Sequence, residues 1–107
     1  MKPEQLKGHL DPLLLAVIAG HPAHGYAIIS SLRDQSDGAF DLPEGTVYPA
    51  LHRLERTGLV RSHWSDGKGR RRRVYELTGA GATALTAARR DWQGFSSGVQ
   101  AVLGWSA

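Results

Sequence analysis

Between Glu44 and Thr78 the apolar pattern changes its period, and this change most constrains the fold. Val47, Leu51 and Leu54 recur at i, i+4 and i+7, the spacing of one face of a helix. The helix is expected to start near Gly45 and to close at Thr57-Gly58. Leu59–Ser65 and Arg71–Thr78 then read as paired strands. The Asp66-Gly67-Lys68-Gly69 turn between them supplies residues that accept positive φ. Four consecutive arginines, Arg70 to Arg73, lead into the second strand. A helix that can lie in a groove beside a cationic ribbon is the arrangement a DNA reader needs.

At about 100° per residue, Gly45, Pro49, His52 and Arg56 lie opposite the apolar stripe. Thr46 and Arg53 fall on one flank and Tyr48 on the other. Pro49 sits near the start, where amides lack intrahelical partners, and the carbonyl its ring would crowd belongs to Gly45. On the wing, side chains alternate in direction. If Tyr75 and Leu77 face inward, Arg70 and Arg72 face out.

Two helices precede this unit. Asp11-Pro12 is expected to open the first, with Asp11 as cap and Pro12 in the first helical position. Leu13, Leu14, Leu15, Val17 and Ile18 make it a core helix, ended by Gly20-His21-Pro22. The second is expected over His24–Gln35, with Tyr26, Ile29 and Leu32 inward and Ser36-Asp37-Gly38 breaking it. The order helix, helix, helix, hairpin is that of a winged helix-turn-helix.

After Thr78 the spacing becomes 3, 4, 3, 4, 3 over Leu85, Ala88, Trp92, Phe95, Val99 and Val102, an a/d seam. Gly94 and Gly98 weaken that helix by roughly 0.5–1 kcal/mol each. Its seam therefore needs a partner, and a second copy of the chain is the expected one; folding back on its own domain is the alternative. The expected class is α+β, mostly α. Residues 1–78 form a winged helix-turn-helix with a two-stranded wing, and residues 79–107 a C-terminal dimerisation helix.

Charge supports the same reading. The chain of 107 residues carries a net charge of only +3. From Arg53 to Arg73, however, eight basic residues face two acidic ones, a local excess of six, so the remainder is acidic. A basic patch on a near-neutral body is the footprint of a nucleic-acid binder. With no cysteine, disulfides and thiolate metal sites are excluded. The apolar run Leu13 to Ala19 is far short of a membrane span. Lys2 and Lys7 ahead of it suggest a signal peptide only faintly, and Glu4 and Asp11 argue against one. A cytoplasmic location is expected. No phosphate-cradling glycine loop, nucleophile elbow or H-E-x-x-H is present, so an enzyme is not expected and no cofactor is obligatory.

Several runs together resemble the PadR family of bacterial transcriptional regulators: Gly25-Tyr26, Gly45-Thr46-Val47-Tyr48-Pro49-Ala50-Leu51, Arg53-Leu54-Glu55, Gly58-Leu59-Val60, and Tyr75-Glu76-Leu77-Thr78 with Gly81. A single C-terminal helix is similar to the short subclass. The resemblance implies a homodimeric winged-helix repressor acting on a roughly palindromic operator, with the C-terminal helix exchanging contacts with its partner. Expected DNA contacts are Thr46, Tyr48, Pro49, His52, Arg53 and Arg56 on the helix, and Lys68, Arg70, Arg71, Arg72 and Arg73 on the wing. The expected dimer interface is the a/d seam itself.

Two effector classes are open. Trp-lined cavities at the dimer interface bind flat aromatic compounds in some short members, which points to Trp92 and Phe95; the plainer reading of Trp92 is interface core. His21 and His24 are the candidates for a divalent metal, against a plainer reading as scattered surface histidines. The alternative to a repressor is a winged-helix module that binds proteins without sequence-specific DNA contact.

Overall fold

A computed structural model describes Leu6 and residues 8–104. Lys2, Glu4, Lys7 and Trp105 lie outside the described residues, as does the side chain of Lys68. The elements in chain order are α1 (Leu10–Gly20), β1 (Ala23–His24), α2 (Gly25–Gln35), α3 (Glu44–Arg56), β2 (Val60–Ser65), a 3-10 turn (Gly67–Gly69), β3 (Arg72–Leu77) and α4 (Gly79–Leu103).

The core lies where the three short helices meet the wing. Leu14, Leu15, Val17 and Ile18 of α1 are buried against Ile28 and Leu32 of α2, Val47, Ala50, Leu51 and Leu54 of α3, and Val60 and Tyr75 of the hairpin. The stripe expected on α3 is therefore its core face, with Ala50 added. That on α2 is corrected. Tyr26 is 62% exposed, and Gly25, Ile28 and Leu32 are the buried positions. Moving the register by a residue or two turns Tyr26 outward because Gly25, with no side chain, is what faces the core.

The start of α1 is also corrected. The cap position is His9, which makes no side-chain cap hydrogen bond, and Asp11 lies inside the first turn. There its carboxylate meets the dipole of the helix end and the guanidinium of Arg53. Just beyond the C-terminal end of α3, Gly58 takes φ +80°, and Leu59 N–H donates to the Leu54 carbonyl at 2.9 Å, sealing the helix.

The sheet has three strands, not two, in the order β1-β3-β2 and antiparallel throughout. β3 is central, with Ala23 and Ser62 on either side of Tyr75 and His24 and His63 on either side of Val74. A two-residue strand is too short to show a period of two, which is why β1 left no mark in the sequence pattern.

α4 begins at a tight junction. The Thr78 hydroxyl accepts from Gly81 N–H at 3.0 Å and donates to the Gly58 carbonyl at 2.6 Å, tying the helix start to the end of α3. Thr78→Ala is expected to lose about 1 kcal/mol of stability, the usual effect of removing an N-cap, read as a lower urea midpoint at unchanged slope. The first half of α4 packs on α1, with Gly81 and Leu85 buried. The second half projects, giving the molecule extents of 54 × 28 × 21 Å. No helix of the described residues is long and apolar enough to cross a membrane.

Candidate nucleic-acid interface

Burying Val47, Ala50, Leu51 and Leu54 leaves the opposite face of α3 to solvent. Gly45, Thr46, Pro49, His52, Arg53 and Arg56 are all exposed. Tyr48 is half-buried. Its ring packs where Gly25 opens α2; a Cβ on Gly25 would lie 2.3 Å from the Tyr48 hydroxyl oxygen. Burial, then the charge of Glu44, pushes the Tyr48 hydroxyl up from its ordinary range. A hydrogen bond to Glu44 does the same for Tyr26. Both phenols therefore remain protonated donors at neutral pH.

Arg53 is not free. Its Nη2 donates to Asp11 Oδ1 of α1, and both side chains are close to half exposed. An exposed pair of this kind contributes at most ~1 kcal/mol, so a phosphate or base edge can replace Asp11 at small cost.

The four arginines of the wing are held in four different ways. Arg73 Nε donates to Ser62 Oγ at 2.7 Å, and its Nη2 lies 3.5 Å from Glu55 Oε2. Arg71 and Arg73 stack on Trp64 at 4.8 and 5.3 Å from the ring centroid, on the face of the hairpin that carries Tyr75. Arg72 Nη1 lies 2.9 Å from His24 Nε2 on the other face. The Arg70 guanidinium makes no hydrogen bond or ion pair among the described residues, while its backbone N–H donates to the Gly67 carbonyl at 3.2 Å. It lines a cleft of about 540 Å3 with Gly25, Tyr26, Tyr48 and the rest of the arginine run, between the start of α2, α3 and β3. Trp64, 51% exposed, was not singled out by sequence reasoning. Its signal was available, since it stands opposite Arg73 in the hairpin register.

His24 is built into this junction. Its Nδ1 accepts from Ala27 N–H at 3.3 Å, capping α2, while Nε2 faces Arg72. A neutral imidazole has one acceptor nitrogen, so the ring serves one of these donors at a time, according to tautomer. Burial, then Arg72, holds its pKa below the ordinary value. Protonation removes that one acceptor. Because the folded value is the lower one, the stabilisation is complete above the unfolded pKa near 6.5 and is lost as pH falls through the folded value. His24→Asn, which keeps a cap acceptor without titrating, is expected to flatten the fall of melting temperature below pH 6.5. Parallel melting curves for the two proteins over that range would remove this role.

The metal expectation at His21 and His24 is not met by the geometry. Both ring nitrogens of His24 face donors, and no three His, Cys, Asp or Glu side chains gather to hold an ion among the described residues. In the C-terminal seam, Leu85 is buried in its own chain's core and Ala88 is half-buried. Trp92, Phe95, Val99 and Val102 are exposed, joined by Leu103. The Trp92 ring meets Phe95 at 5.8 Å and the edge of His9 at 5.7 Å.

Comparison with known proteins agrees with this architecture. The chain is 43% identical over 72 residues to the transcriptional regulator Rv3488 of Mycobacterium tuberculosis, a match covering 67% of this chain and 64% of that protein. It superposes on a PadR family transcriptional regulator from Eggerthella lenta with a TM-score of 0.82, at 32% identity over 96% of this chain and 88% of the other. A PadR-like transcriptional regulator from Bacillus cereus gives a TM-score of 0.84 at 25% identity, covering 96% and 99% of the two chains. The sequence pattern of the transcriptional regulator PadR-like family matches residues 14–87, most of the described domain, and the chain belongs to that family.

Proposed function

We propose that the chain is a ligand-responsive repressor that binds a palindromic operator as a homodimer. The observation that carries this reading is a cleft in which Tyr48 of α3 and the start of α2 meet the arginine run 70–73, beside an α3 whose polar face is exposed. Two α3 helices enter successive major grooves about one turn, ~34–36 Å, apart. Thr46, His52 and Arg53 reach for base edges or the groove rim, and Tyr48, Pro49 and Arg56 lie along its walls. The wing, with Lys68 and Arg70 to Arg72 foremost, holds phosphates. Residues 1–78 are the DNA-binding unit, and residues 79–107 pair with the second copy through the exposed part of the seam. Repression follows from occlusion of a promoter, in the cytoplasm.

A planar hydrophobic compound is the effector that the exposed Trp92–Phe95 pair favours, since exposed aromatic faces take flat rings. A winged-helix module that binds only proteins is the competing reading, and it has no use for an arginine-lined cleft.

Fluorescence anisotropy against a duplex from the region upstream of its own gene, with a scrambled duplex as control, tests this across salt concentrations. Preference for the native duplex with two chains per site is the expected result. No binding at low salt would leave the protein-interaction module. Arg72→Ala is expected to weaken binding to both duplexes alike and to lower the salt slope by about one. A loss confined to one operator position would contradict its role on the backbone.

A further inference from the structure

Glu55 stands on the last turn of α3, Ser62 on β2 and Arg73 on β3, and their side chains close into one network. Ser62 Oγ donates to Glu55 Oε2 at 2.5 Å and accepts from Arg73 Nε at 2.7 Å, while Arg73 Nη2 approaches the same carboxylate oxygen at 3.5 Å. All three residues are half-buried, unlike Arg70, Arg71 and Arg72, which are exposed. Trp64 lies against one face of the Arg73 guanidinium, 5.3 Å from the ring centroid. Arg73 is thus engaged on its edge by a hydroxyl and a carboxylate and on one face by an indole, so that its donors are already directed at protein partners.

From this geometry we infer that Arg73 is a positioning residue: with Ser62 and Glu55 it fixes the angle between the recognition helix and the wing, so that both meet DNA at once. The inference rests on the DNA-binding reading above. The three side chains join the two elements that must touch the same duplex, and no other side-chain hydrogen bond or ion pair among the described residues links α3 to the hairpin. A rigid α3–wing angle lowers the ordering cost of binding, which is how preorganisation raises affinity.

The sign of one substitution separates this role from plain electrostatics. Glu55 is an acidic residue within the basic stretch, so if charge alone mattered Glu55→Ala would bind DNA more tightly. A positioning role requires weaker binding. The experiment is anisotropy with the labelled upstream duplex and a scrambled one, on the full chain, across salt, for wild type, Glu55→Ala, Ser62→Ala, Arg73→Ala, the Glu55→Ala/Arg73→Ala double variant and Arg70→Ala.

Glu55→Ala and Ser62→Ala are expected to weaken binding about three- to tenfold at fixed salt, the scale of one or two lost hydrogen bonds, with the salt slope unchanged. Arg73→Ala is expected to do the same, and the double variant to be no worse than the worse single one. Arg70→Ala, a free cation in the cleft, lowers the slope by about one and sets the scale for a phosphate contact. Ser62→Ala changes no charge and little volume, so it carries the test if a charged variant unfolds. Tighter binding by Glu55→Ala, or a slope for Arg73→Ala that matches Arg70→Ala, overturns the inference while the DNA reading stands. Failure of wild type to bind at low salt overturns both.

Discussion

Gly81→Ala is expected to lower the melting temperature by roughly 10–20 °C, the effect of ~3 kcal/mol on a domain of this size. A Cβ at this position would lie 2.0 Å from the Leu59 carbonyl oxygen, 2.8 Å from Leu77 Cδ1 and 3.0 Å from the Leu59 carbonyl carbon. Two of those atoms are backbone, so no rotamer change relieves the contact. Either α4 lifts off the hairpin or the Leu59 peptide shifts. Both disturb the Thr78 hydroxyl, which links the start of α4 to the Gly58 carbonyl. Gly79→Ala is the matched control. It lies in the same turn, has nothing within 4 Å of its added methyl, and is expected to be neutral or slightly stabilising. Equal melting temperatures for the two variants would show that α4 is not seated on the Leu59 backbone.

The second large effect is on assembly. Phe95→Asp is expected to convert a dimer to a monomer in sedimentation at concentrations where wild type is dimeric. The exposed strip on α4 runs from Trp92 through Phe95 and Val99 to Val102 and Leu103, and Phe95 is 62% exposed. In a two-fold interface each substitution acts twice, and an aspartate in an apolar seam costs several kcal/mol unless it is paired. Domain stability should change little, because the core contacts of α4 are made by its first half, around Gly81 and Leu85. Affinity for a two-site operator should fall by about 10²–10⁴, the usual loss when two linked binding events become independent. A dimer that survives the substitution would move the interface elsewhere; a monomeric wild type would reject it.

Much of this molecule is legible in its residues because local periodicity and turn chemistry suffice for it. The Val47, Leu51, Leu54 spacing placed the buried face of α3, and that automatically left Pro49, His52 and Arg56 outside. The glycines and aspartate at 66–69 placed the hairpin, and the run Gly45 to Leu51 carried the family. Less local features were harder. Tyr26 reads as core because it is aromatic at a plausible helical spacing, yet burial of Gly25 turns it to solvent. Leu85 reads as the first residue of an a/d seam shared with a partner, yet α1 of its own chain already covers it.

The amino-acid sequence by itself determined which segments are helical, which pair as a wing, where positive charge gathers and which family the chain resembles. These follow from neighbours within a few residues, where side-chain period and backbone preference act. Only the tertiary structure decided what each arginine does. Arg70 to Arg73 are identical in chemistry and adjacent in sequence, but Arg73 meets Glu55 and Ser62, Arg72 meets His24, Arg71 stacks on Trp64 and Arg70 borders an open cleft. Their partners come from β1, α3 and β2, up to 48 residues away along the chain. A guanidinium's role is set by the acceptors within reach, and the packing of α2, α3 and the hairpin determines which those are.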